Sequence, residues 1–153
     1  MNVDLPPPIF VDHGACPFQC CKYREWQTTN PVKLVEKPES KKVIVTIPAD
    51  RKVRGLTGEV ISEPLPVKVN AALPEAKITV GETVYFLHWK GEGHGAFWHH
   101  GKIVDLDVTG SLRALHPYDW ADNRKDWWVK VKFGDKTGWT KDAENFEGTD
   151  DCG

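Results

Sequence analysis

Four histidines, His88, His94, His99 and His100, surround a glycine-rich segment, Gly91-Glu92-Gly93-His94-Gly95. Neutral imidazole is a good ligand for transition metals. A hairpin whose turn centres between Gly93 and His94 would set Trp89 opposite Trp98 and His88 opposite His99. Cross-strand neighbours lie about 5 Å apart at Cβ, close enough for two rings to share an ion. His88 and His99 are therefore expected metal ligands, with His94 as a third and Glu92 close by. His99 and His100 are adjacent, so a regular strand sends them to opposite faces. The competing reading makes these histidines polar edge and packing residues.

Cysteine chemistry is concentrated in the same way. Cys16, Cys20 and Cys21 crowd together, and Cys152 is the next-to-last residue. A chain end orders nothing unless it is tied down, so Cys152 is expected to bond to Cys20 or Cys21, with Cys16 taking the other. A bond between adjacent Cys20 and Cys21 would close a strained ring. Disulfides imply an oxidising compartment, here periplasmic or secreted, although residues 1–8 lack the basic flank and apolar core of a signal peptide. Three alternatives use the same residues. One is a cytosolic protein with free thiols; another is a zinc site built from His13, Cys16, Cys20 and Cys21; the third is a thiol-redox role for the cluster.

A third constellation lies in 127–133, where side chains alternate between faces. Trp127, Val129, Val131 and Phe133 make an apolar face that reads as core. Trp128, Lys130 and Lys132 make the other face. Tryptophan is enriched at interaction hot spots, so these three, with Glu92 and His94 of the 91–95 loop, form the expected ligand-binding surface. The alternative places Trp128 under a loop, against Trp120.

Other chemistries find no support. The three serines, Ser40, Ser62 and Ser111, sit in no nucleophile elbow, and there is no phosphate-binding loop, dinucleotide fingerprint or His-Glu-x-x-His. The net charge of −2 gives no electrostatic footprint for nucleic acid. No apolar run approaches the roughly 20 residues of a membrane-spanning helix. The chain reads as a monomeric non-enzyme with no cofactor.

The elements that must position these residues are strands. Sixteen valines against nine leucines favour strand over helix, and 24 glycines and prolines punctuate the chain as all-β architecture requires. Strands are expected at 32–36, 42–47, 52–56, 59–62, 67–69, 83–89, 96–105, 127–133 and 136–140. Residues 1–27 form an extended, cysteine-bearing lead, 71–76 a linker, 109–126 a polar irregular stretch, and 149–153 a tail tied by Cys152. Two sets of about five short strands, 28–70 and 77–148, each hold one small barrel's worth of chain.

The run Trp127-Trp128-Val129-Lys130-Val131-Lys132-Phe133-Gly134-Asp135-Lys136-Thr137-Gly138-Trp139-Thr140 resembles the closing hairpin of bacterial SH3-like (SH3b) domains. Residues 32–59, with Pro38, Val43-Ile44, the Pro48-Ala49-Asp50 turn and Lys52-Val53, resemble the first half of such a domain. Asp50 stands where that family usually has glycine, and aspartate tolerates the left-handed backbone of such a turn. The resemblance implies an all-β fold of two small SH3-like barrels packed together, with a disulfide-tied N-terminal segment. It also implies a non-catalytic extracytoplasmic binding module whose partner is a peptide, a cell-wall fragment or an envelope protein. The reading from a different class is a metal-binding or thiol-redox protein using His88, His94 and His99 or the cysteine cluster.

Overall fold

The computed structural model describes residues 5–18, 21–91, 93–107 and 123–150. It is all-β. Among the described residues twelve strands follow one another: β1 (Phe10–His13), β2 (Glu25–Thr28), β3 (Val32–Val35), β4 (Val43–Ile47), β5 (Lys52–Ser62), β6 (Leu65–Lys68), β7 (Thr83–Gly91), β8 (His94–His99), β9 (Lys102–Asp107), β10 (Lys125–Phe133), β11 (Lys136–Thr140) and β12 (Phe146–Glu147). Short 3-10 turns at Pro74–Ala76 and Ala143–Asn145 are the described helical pieces. Among the described residues, no helix is long and apolar enough to cross a membrane.

The strands form an eight-stranded sheet, ordered β12-β2-β5-β10-β11-β3-β4 with β1 beside β5, and a four-stranded sheet ordered β6-β7-β8-β9. The chain divides into a first unit of residues 1–11 and 61–125 and a second of residues 12–60 and 126–153. This grouping differs from the sequential halves 28–70 and 77–148. The hairpin β10–β11 joins the strands of the N-terminal half, through Trp139↔Val35 on β3. Hydrophobic patterning fixes which face of a strand is buried, but not which distant edge it pairs with.

In the first unit the meander β6 to β9 closes over Val67, Val69, Leu73, Ile78, Val84, Phe86, Phe97 and Leu106. In the second the core is Trp26, Val32, Leu34, Ile47, Val53, Val129, Val131, Ala143 and Phe146. Val129 and Val131 are fully buried, as alternation required, while Trp127 and Phe133 pack partly buried against that cluster. Trp26 fills the centre. It donates Nε1–H to the Lys22 carbonyl at 3.0 Å and lies flat enough on Gly55 that a Cβ there would sit 2.7 Å from its ring. The Tyr23 hydroxyl donates to the Ala15 carbonyl at 2.7 Å and accepts Trp127 Nε1–H at 2.9 Å. Burial pushes its phenol above the ordinary value, partly offset by the Trp127 N–H. Asp50 takes the left-handed backbone its turn needs, at φ 61°.

Cys16 bonds Cys21, which matches one of the two expected arrangements and consumes two of the thiols proposed as zinc ligands. His13 instead meets Glu59 Oε1 at 2.8 Å. Cys20 and Cys152 lie outside the described residues. Around Cys21 the segments 21–24 and 148–150 are stitched by backbone and by one side chain: Cys21 bridges Asp150, Lys22 N–H donates to the Thr149 carbonyl, and the Arg24 guanidinium donates to the Gly148 and Asp150 carbonyls. The disulfide is consistent with an oxidising compartment.

Candidate functional site

The histidine hairpin is tighter than expected. It closes at Gly91↔His94, so His94 begins β8 instead of sitting in the loop. Register shifts between Phe86/His88 and Trp89/Gly91 then bring His88 opposite Ala96 and Trp98 opposite Tyr85. The predicted His88–His99 and Trp89–Trp98 pairs do not form, because a turn centred about one residue earlier displaces every pair along the ladder. His88 is 1% exposed and holds Nδ1 at 2.9 Å from the Trp89 carbonyl, a core position. His94 lies at the surface, 3.5 Å from Asp105, which also meets Lys90 at 3.6 Å. Glu92 lies outside the described residues.

His99 finds other company. It ends β8, paired with Lys102 across a two-residue turn made by His100 and Gly101. Both turn residues have positive φ, 49° and 79°, the type I′ pattern that suits the twist of a hairpin. The turn defeats the simple alternation that sent His99 and His100 apart. Their rings lie 4.0 Å apart between centroids, and both Nε2 atoms reach Glu82 Oε1, at 3.0 Å from His99 and 2.9 Å from His100. Glu82 in turn accepts the Thr79 backbone N–H and hydroxyl on Oε2, at 2.5 and 3.0 Å. The Thr79 N–H, then the two imidazoles, hold its carboxyl down at about 2. Glu82, His99 and His100 are the described residues that could hold a metal ion, their ligand atoms all within 4.8 Å of one another. Of the expected set only His99 belongs to this group. A two-residue His-Gly hairpin turn was the signal that could have revealed His100; nothing local marks Glu82.

The second candidate surface shifts by one strand. Trp128 is 6% exposed, and the Lys141 ammonium sits 5.7 Å from its ring centroid, so it offers no face to a ligand. Lys130 and Lys132 do face solvent, half-buried and exposed respectively. Lys130 pairs with Trp139 on β11, Trp139 with Val35 on β3, and Val35 with Val43 on β4. These four form one row across the sheet, about 14 Å at the usual strand spacing. Trp139 and Val35 are half-buried, Val43 is 48% exposed, and the Lys130 ammonium lies 6.0 Å from the Trp139 centroid. Lys132 and Lys33 flank the row, paired with Thr137 and Thr46. Across β3, β4, β11 and the Lys130–Phe133 end of β10 every charged residue is a lysine. Two acids stand just beyond the strand ends, Glu36, matched by Lys42 at 3.5 Å, and Asp135 in the β10–β11 turn. Trp139 was readable from the sequence: a turn at Gly134-Asp135 places it opposite Lys130.

No family model matches the chain, and neither a curated protein nor a solved structure does.

Proposed function

We propose that the protein is a non-catalytic extracytoplasmic binding module, periplasmic or secreted, whose ligand is an acidic peptide segment bearing apolar side chains. The observation that carries this reading is the row Lys130–Trp139–Val35–Val43 on strand segments whose charged residues are lysines. A half-exposed indole bordered by two valines suits apolar side chains. Lysines on both sides suit carboxylates and disfavour basic partners. The likeness of 127–140 to the closing hairpin of bacterial SH3-like domains fits such a role. So does the Cys16–Cys21 disulfide.

Fluorescence anisotropy with labelled twelve-residue peptides tests it, one alternating Leu and Glu and one alternating Leu and Lys. The Leu-Glu peptide is expected to bind, more weakly as salt rises. Lys130→Glu with Lys132→Glu should weaken it at least tenfold while circular dichroism stays unchanged. Equal binding of both peptides, unchanged affinity in the double variant, or preference for polygalacturonate over the Leu-Glu peptide would overturn the reading.

A further inference from the structure

We infer that Glu82, His99 and His100 form a binding site for one divalent transition-metal ion of the zinc class, independent of the peptide-binding face. The donor set makes the first argument. Two imidazole nitrogens and one carboxylate oxygen suit Zn²⁺, Cu²⁺ or Ni²⁺, whereas Ca²⁺ and Mg²⁺ call for oxygen ligands throughout.

Distances make the second. Ligand atoms about 2.0–2.2 Å from a tetrahedral ion stand roughly 3.3–3.5 Å from one another. Glu82 Oε1 already lies 3.0 and 2.9 Å from the two Nε2 atoms. Admitting an ion therefore asks each Glu82–imidazole contact to lengthen by only a few tenths of an ångström. The ion would replace two N–H···O contacts, and each imidazole would carry its proton on Nδ1 instead.

Positioning makes the third. Each ligand is held by something other than the ion. His99 is fixed at the end of β8 with its side chain 11% exposed. His100 is fixed by the two-residue turn, in a left-handed conformation that costs a non-glycine residue free energy and is more usual for Asn, Asp or Gly. Glu82 has its oxygens divided between two tasks, Oε2 accepting from Thr79 and Oε1 aimed at the rings. A carboxylate oriented by a hydrogen bond to its other oxygen is the usual support of a metal ligand. His100 is 58% exposed, so the site opens to solvent and leaves the remaining coordination positions to water.

Calorimetric titration of the full chain with Zn²⁺, and of the same chain with Co²⁺ followed by visible absorption, tests the site. One equivalent is expected to bind with micromolar or tighter affinity, and Co²⁺ should give the bands of a nitrogen- and oxygen-ligated ion. His100→Asn keeps a residue that accepts the turn's left-handed backbone and removes a ligand; Glu82→Gln keeps the size and removes the charge. Each should weaken binding at least tenfold. His94→Ala, which removes a surface histidine outside the group, should leave affinity unchanged. No uptake below millimolar concentration, or uptake that survives both His100→Asn and Glu82→Gln, would overturn the assignment.

Discussion

The two units solve the same problem with different materials. The first is a meander: β6, β7, β8 and β9 pair in the order in which they are made, and Val, Leu, Ile and Phe fill its interior around the Phe86–Phe97 contact at 5.3 Å. It contains no cysteine. The second gathers strands from both ends of the chain, with β2 between β5 and β12 and Arg24 reaching the Gly148 carbonyl 124 residues away. That unit holds the Cys16–Cys21 disulfide, and within its core Trp26 packs against Phe146 and Tyr23 at ring-centroid distances of 5.4 and 5.9 Å. Closing a long loop costs more chain entropy than closing a short hairpin. The difference teaches where reinforcement is needed: a sheet assembled from distant segments carries a covalent link, and a sheet of sequential neighbours has no cysteine with which to form one.

The sharpest way to break this comparison is to empty each core in turn. Trp26→Ala should cost about 3–5 kcal/mol, as should Phe97→Ala in the other unit. Peptide-resolved hydrogen exchange is expected to rise mainly in β2, β5 and β12 for the first variant and in β7, β8 and β9 for the second. An equal rise along the whole chain in both variants would erase the distinction between the units.

A smaller effect is expected from the covalent link. Replacing Cys16 and Cys21 by serine removes a ring of about six residues, worth about 2 kcal/mol in the chain-entropy model. Denaturant unfolding should show that loss, and exchange should place it in the second unit. Mass mapping without reductant should recover the 16–21 linkage. With Cys21 so occupied, the expected tie of Cys152 to the N-terminal cluster is left with Cys20. Recovery of a Cys21–Cys152 peptide would contradict the structure.

The smallest effect lies in the first unit and depends on pH. Glu82 has its carboxyl lowered from 4.5 to about 2 by Thr79 and the two histidines. A carboxylate depressed by folding contributes stability that is complete above the unfolded value and is lost as pH falls through the folded one. The contribution should therefore fade between about pH 4.5 and 2. Urea midpoints followed across that window should slope less in Glu82→Gln than in the parent, and identical slopes would remove Glu82 from the account.

Much of the architecture was legible before any coordinates. The valine excess and the regular glycine and proline breaks gave an all-β chain, and alternation in 127–133 gave Val129 and Val131 as core. The candidate sites were legible only in part. Lys130 and Lys132 keep their place on the outer face, but Trp128, on the same face by alternation, is buried. Period-two patterning says which way a side chain points and not what covers it. Of the histidines read as metal ligands, the structure brings only His99 beside a second histidine and a carboxylate. A turn placed one residue off and two register irregularities were enough to send His88 into the core and to leave His94 beside Asp105.

Composition and alternation, then, determined that this chain makes strands and which way most side chains along them point, because those follow from local sterics and the removal of apolar surface from water; they read Lys52–Ser62 as two strands, and as one the 96–105 stretch that turns at His100-Gly101 between β8 and β9. Only the tertiary structure decided that β11 lies beside β3, that Cys16 joins Cys21, and that Glu82 meets two adjacent histidines. Each of these depends on the register of strand pairs and the geometry of a turn. A displacement of one residue there changes every neighbour while leaving the hydrophobic pattern of the sequence untouched.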